Sequence, residues 1–455
     1  MAIESINPST GERIRSYPAL SAHAAGQRLE RAERAFASWR CASFAQRATV
    51  LRAAAALLRR RAGECAVLMA QEMGKPVTQG RGEAEKCAWA CDYYAEHAER
   101  FLAAEPAPTD ASKSFVVFEP LGILLAVMPW NFPFWQVFRA AAPALMAGNP
   151  VALKHASNVP GCALAIEALF REAGLPEGLF STLLVEAQAV SDLIAHPLVK
   201  AVTLTGSAQA GGAVAAQAGT HLKKTVLELG GSDPYLILAD ADLEAAAAAC
   251  ASSRLTNSGQ SCIAAKRFIV EAPVRLRFEE LLVARMGAAR MGDPLDETVE
   301  VGPLARHDLR EALHRQVTQS LAAGARCLLG GTVPSSPGAF YPPTVLTGVR
   351  KGMPACDEET FGPVAAVLEA ADETEAVRLA NDSCFGLGAA VFTGDLKRGE
   401  RLAATQLEAG ACFVNAAVHS DPRLPFGGVK QSGYGRELGA FGIREFVNIK
   451  AVSVQ

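Results

Sequence analysis

The chain has 455 residues, 50% of them hydrophobic and 20% charged, with a formal net charge of -3. That is soluble globular composition in a chain too long for one core, so two or more domains are expected. Lys and Arg are dispersed among Asp and Glu, which excludes a broad nucleic-acid footprint, and the apolar run at residues 121–128 is too short to span a bilayer.

Residues 1–18 are polar, carry turn formers at Asn7-Pro8-Ser9-Thr10-Gly11, and lack the apolar centre of a signal peptide. The eleven cysteines show no framework spacing, which fits a reducing cytoplasm. Cys87 and Cys91 read as one helix face, because no second Cys or His pair completes a metal site. Residues 29–75, rich in Ala, Leu, Arg and Glu, predict helix ending at Gly74 and Pro76, and 82–102 predict another. Residues 105–110 break the pattern as a linker or excursion.

Strands are expected at 114–119 and 121–128, then a helix after Pro129-Trp130-Asn131-Phe132-Pro133 running to Met146. Strands at 151–154, 180–185, 201–205, 225–228 and 234–238 alternate with helices at 160–173 and 206–218. That alternation argues a parallel α/β sheet. A second series begins at Ala241, with a helix to Arg254, a cysteine loop, and a strand at 267–270. Residues 446–454 alternate as a terminal strand seeking a partner in another chain or in 114–119.

Several stretches could carry chemistry. Asn257-Ser258-Gly259-Gln260-Ser261-Cys262 sets one cysteine among small and polar residues, either as a nucleophile or as an ordinary buried thiol. Asn131 could donate to an oxyanion or cap the following helix. Glu228 ends an apolar strand before Gly230-Gly231, as a general base at a sheet crevice or as a surface acid. The paired glycines imply that something approaches the backbone closely. Thr205-Gly206-Ser207 opens a helix after a strand, which suits a pyrophosphate or simply a tight turn. The glycine-dense residues 425–436 either line a site or connect elements.

Taken in order, residues 129–133 (PWNFP), 205–211 (TGSAQAG), 228–231 (ELGG), 259–262 (GQSC), 359–363 (ETFGP) and 425–437 (PFGGVKQSGYGRE) resemble the aldehyde dehydrogenase superfamily. The resemblance implies a Rossmann-like cofactor-binding domain (1–107 and 121–229), an α/β catalytic domain (230–427), a β oligomerisation arm (108–120 and 441–455) and a return segment (428–440). It implies Cys262 as nucleophile, Asn131 with the Cys262 N–H as oxyanion hole, and Glu228 as the base for water. Lys154 and Glu359 would hold riboses, Phe361 would pack by the nicotinamide, Gly206 and Ser207 would meet the pyrophosphate, and Trp130 would also contact the cofactor. No metal is implied.

Within the superfamily the chain looks most like short succinate-semialdehyde dehydrogenases, on Ile6-Asn7-Pro8, Lys154-His155-Ala156-Ser157 and Arg139. Arg139 would pair with a substrate carboxylate. Where familiar members carry a second arginine this chain has Thr256, and Ser420 is expected to supply a hydroxyl instead. Ala264 replaces a second cysteine of the loop. Ser157 stands where NAD-preferring relatives often carry Glu, so NADP is expected to be favoured over NAD. The alternative is a broader aliphatic or aromatic aldehyde oxidiser with Trp135 and Phe138 lining an apolar tunnel. A homodimer or tetramer is expected.

Overall fold

The computed structural model describes residues 2–455. Its first large sheet has six strands, in the order Gly433–Tyr434, Lys224–Glu228, Val199–Thr205, Ile123–Met128, Val151–His155, Phe180–Thr182. All neighbours are parallel except the outermost Gly433–Tyr434. The central strands are buried runs of aliphatic residues, as expected when helices cover both faces. From Ile123–Met128 the chain builds first to one side (Val151–His155, then Phe180–Thr182) and later to the other (Val199–Thr205, then Lys224–Glu228). The strand order therefore reverses between Ile123–Met128 and Val199–Thr205. Trp130 and Asn131 follow the first of these strands, and Gly206 and Ser207 follow the second. A crevice at such a reversal is where open α/β sheets take ligands.

The second sheet has seven strands, ordered Arg326–Leu329, Thr344–Thr347, Val364–Ala370, Arg267–Glu271, Pro234–Ile237, Gly388–Phe392, Ala411–Val414. Only the Arg326–Leu329 pairing is antiparallel. A third, three-stranded sheet pairs Val447–Val454 with Lys113–Pro120, from Val447 opposite Pro120 to Val454 opposite Lys113. The terminal strand thus takes the partner within its own chain. Glu105–Pro106 is a strand of this sheet, so the expected linker is an excursion into it.

Two expectations at the N-terminal end are corrected. The single helix over 29–75 is three helices, Ala22–Trp39, Phe44–Arg60 and Ala62–Met73. Composition favours helix throughout, but Ser43 and Gln46 form a capping box that restarts the chain in a new direction. The polar N-terminal segment is a hairpin, Ala2–Ile6 against Arg13–Pro18, mostly exposed and therefore without an apolar alternation to read. Cys87 and Cys91 are both fully buried on the helix Val77–Phe101. Among the described residues no helix is long and apolar enough to cross a membrane.

Candidate active site

The cysteine loop follows the helix Leu243–Leu255 and enters the second sheet at Arg267–Glu271. Asn257, Ser258 and Gly259 are all left-handed, with φ of 54°, 55° and 76°. Such backbone is held only where surrounding contacts determine it. The Asn257 amide donates to the carbonyls of Asn131 (2.6 Å) and Gln260 (3.1 Å), and the Ser258 hydroxyl donates to Gly302 O (3.0 Å). Fully buried Lys266 donates to the carbonyls of Ser261 (3.0 Å) and Cys262 (2.7 Å). Gly259 is obligatory, because a Cβ there would lie 2.2 Å from the Gly362 backbone.

Cys262 is half-buried as a residue, yet enough protein surrounds its thiol that burial pushes its pKa up to about 12, against the opposing pull of Arg139 and Lys266. The resting thiol is neutral and needs a base when it attacks. Its backbone N–H makes no hydrogen bond among the described residues. Asn131, 4% exposed, donates its side-chain amide to Gln260 O at 3.1 Å, which places it beside the cysteine loop. It does not cap the following helix. Glu83, from the helix Val77–Phe101, takes that task by accepting from the N–H groups of Phe134 (2.8 Å) and Trp135 (2.9 Å).

Glu228 is 1% exposed, so the surface-acid reading fails. Neither of its carboxylate oxygens has a hydrogen-bond partner. Burial raises its pKa to about 8, opposed by Arg139 and reinforced by Glu437. Arg139 is ion-paired with Glu437, lies 4.0 Å from Glu228 Oε2, and donates to Thr205 Oγ1 at 3.3 Å. One arginine thus faces two buried carboxylates, and one of the two holds a proton at neutral pH. The glycine-dense loop packs around this acid. Gly433 pairs with Glu228 in the sheet, and a Cβ on Gly427 would come within 2.9 Å of Glu228 Oε1.

The paired glycines admit a carboxylate of the chain itself. Gly231 N–H donates to Glu359 Oε1 at 3.0 Å, and a Cβ on Gly230 would meet Glu359 Oε2 at 2.3 Å. Glu359 also lies 3.7 Å from Lys266 Nζ, and this ties the ETFGP segment to the cysteine loop. Trp130 and Phe361 meet edge-to-face at 5.8 Å. At the strand reversal, Ser207 caps the helix Ala208–Thr220, and a Cβ on Gly206 would meet nothing closer than 3.5 Å. The Gly206 N–H donates to Glu228 O at 3.0 Å, and the space beside its Cα is open. Lys154, at the end of its strand, makes no hydrogen bond or ion pair among the described residues, and burial lowers its pKa. Exposed Ser157 follows it. An unpartnered cation with an uncharged residue three positions on, and a helix N-terminus at the neighbouring strand reversal, fit a dinucleotide phosphate.

A cavity of about 950 Å³ opens on Cys262 and brings together Arg139, Trp135, Thr256 and Ser420. Phe138, expected along the same wall, is not part of the cavity lining; it is fully buried and stacks on Phe170 at 4.9 Å. Thr256 donates its hydroxyl to Ser252 O at 2.9 Å, so it has no proton for a ligand.

The profile of the Aldehyde dehydrogenase family matches residues 1–452. The chain belongs to the aldehyde dehydrogenase family. It is 51% identical over 452 residues, 99% of each chain, to a probable succinate-semialdehyde dehydrogenase, NADP(+), of Synechocystis sp.. It is 49% identical over 448 residues, 98% of this chain and 97% of the other, to a succinate semialdehyde dehydrogenase, NAD(P)+, of Escherichia coli. The structure of succinic semialdehyde dehydrogenase from Streptococcus pyogenes in complex with NADP+ superposes with a TM-score of 0.97 at 38% identity, covering 100% of both chains.

Sequence reasoning missed several residues of this aldehyde dehydrogenase site. Lys266 anchors the cysteine loop, Glu437 shares Arg139 with Glu228, and Glu83 caps the helix that carries Arg139. The partners of Glu83 and Glu437 lie far away in the chain, whereas Lys266 reaches back only four and five residues to the loop it anchors.

Proposed function

We propose that this aldehyde dehydrogenase oxidises succinate semialdehyde to succinate with NADP, which is favoured over NAD. The observation that carries the reading is the cavity in which Cys262 shares its walls with Arg139 and Ser420. The names of the relatives at about half identity support the same substrate and cofactor.

Cys262 Sγ bonds to the aldehyde carbon as its proton passes to solvent in the open cavity, and the carbonyl oxygen becomes an oxyanion. The Asn131 amide and the free Cys262 N–H hold that charge. A bound nicotinamide dinucleotide supplies the hydride acceptor that turns the thiohemiacetal into a thioester. Glu228 then takes a proton from water as the water oxygen bonds to the thioester carbon; the C–S bond breaks, the carboxylic acid leaves, and Glu228 passes the proton to the sulfur to restore the thiol. Its pKa of about 8 suits proton exchange near neutrality. Lys154 and Ser157 would receive the ribose and its phosphate, Gly206 and Ser207 the pyrophosphate, and Glu359 the second ribose. Arg139 commits two of its nitrogens within the chain, and its Nη1, without a hydrogen bond among the described residues, is the one left to attract a substrate carboxylate.

The first sheet serves as the cofactor-binding domain and the second as the catalytic domain. The free edge of Val447–Val454, where Ile449 is 61% exposed, is where a second copy would pair to build a homodimer. Eleven free cysteines favour a cytoplasmic setting. The test is a panel of aldehydes with both cofactors, followed at the reduced-nicotinamide absorbance. Succinate semialdehyde with NADP is expected to give the highest kcat/KM. A tenfold or greater preference for NAD, about 1.4 kcal/mol, contradicts the cofactor assignment.

A further inference from the structure

The cavity on Cys262 has a second cation in its wall. Lys86 projects from the helix Val77–Phe101, far in sequence from every stretch that carried the family resemblance. Its Nζ donates to Ser420 Oγ at 2.8 Å and sits 4.6 Å from the centre of the Trp135 ring. Among the described residues no carboxylate lies within ion-pair distance of it. The neighbouring cations differ. Lys75 is paired with Glu83, Arg139 with Glu437, and Lys266 with Glu359.

An ammonium taken out of water without an anion is costly, and an anionic ligand removes the cost. Burial and the nearby charge of Arg139 bring the Lys86 pKa down to about 8, which is the response of a cation lacking its counter-ion. Arg139 has its anion in Glu437, whereas Lys86 has none among the described residues.

We infer that Lys86 and Ser420 form the anchor for the distal carboxylate of the aldehyde substrate, in place of the arginine that Thr256 lacks. The inference rests on the proposed substrate class. Ser420 accepts from Lys86 and keeps its own proton, so it donates O–H to one carboxylate oxygen while Lys86 donates N–H to the other. The Trp135 ring holds the ammonium by its face and leaves the remaining protons toward the cavity.

The experiment measures kcat/KM for succinate semialdehyde and for butanal, its uncharged counterpart, in wild type, Lys86→Met and Lys86→Arg. It also measures the inhibition constant of succinate against butanal oxidation. In Lys86→Met the ratio of the two kcat/KM values is expected to fall roughly twentyfold or more, through KM for the charged substrate. Succinate inhibition should weaken in parallel, and Lys86→Arg should recover most of both. A wild-type ratio well above one that stays within about twofold in Lys86→Met overturns the anchor alone. An equal loss on both aldehydes overturns it too, because Lys86 would then support the fold and not the carboxylate. A wild-type ratio near one overturns the substrate class and the anchor with it.

Discussion

The cysteine loop and the far wall of the cavity it faces are built differently. The loop is tied from every side, with Lys266, Asn257 and Ser258 each fixing a backbone carbonyl and Gly259 seated against Gly362. The wall is held by a single side-chain contact, Lys86 to Ser420. Attack on a carbonyl requires one geometry, and the backbone is locked to provide it. Holding a carboxylate requires only a cation at about the right depth, which different residues on different elements can supply. The reaction is therefore written in contiguous motifs, and the substrate is written in scattered side chains.

Changes to the loop should break this contrast most severely. Cys262→Ala is expected to lose aldehyde oxidation by about four orders of magnitude or more while the protein keeps its melting temperature, checked by reduced-nicotinamide absorbance and thermal denaturation. Gly259→Ala meets both a left-handed backbone and the Gly362 carbonyl, so it should cost about 3 kcal/mol or more and most of the activity, read by denaturant titration. A variant as stable as wild type would show that the loop is looser than its contacts indicate.

Glu228 lies between the two regions. Glu228→Gln should lower steady-state turnover roughly a hundredfold or more while leaving the first release of reduced cofactor, because only water activation is lost. With the folded pKa raised to about 8, wild-type kcat should climb with pH through that value, and the climb should vanish in the variant. The stability effect has the opposite sign. Between the ordinary carboxylate pKa and about 8 the folded state binds the extra proton, so the Glu228 contribution to stability falls as pH rises through that window. Glu228→Gln should remove that decline in a melting series from pH 6 to 9.

Much of this was legible in the sequence. The parallel strands are aliphatic runs bounded by turn residues, whereas their order in the sheet, and with it the switch point, is set by tertiary pairing. The three N-terminal helices merged in the sequence because nothing in their composition marks Ser43 as a break. Nothing local singles out Lys86, and only tertiary packing places it over Trp135. Arg139 was legible as a candidate for a substrate carboxylate, but its buried partner Glu437 was not. The segment that carries Glu437 crosses to Glu228 as an added antiparallel strand, and no local spacing announces that crossing.

The smallest expected effect lies at the crevice mouth. Ser157→Glu adds a negative charge beside Lys154 and should lower the ratio of NADP to NAD kcat/KM by roughly tenfold or more, measured with one aldehyde and both cofactors. An unchanged ratio would move the cofactor choice to other residues.

The central claim is that Cys262 carries the acyl group and Glu228 releases it. Intact-protein and peptide mass spectrometry of Glu228→Gln, mixed with succinate semialdehyde and NADP, tests this directly. The account predicts one added succinyl group per chain, mapped to Cys262, with an equal amount of reduced cofactor. Reduced cofactor formed without any adduct, or an adduct on another residue, would contradict it.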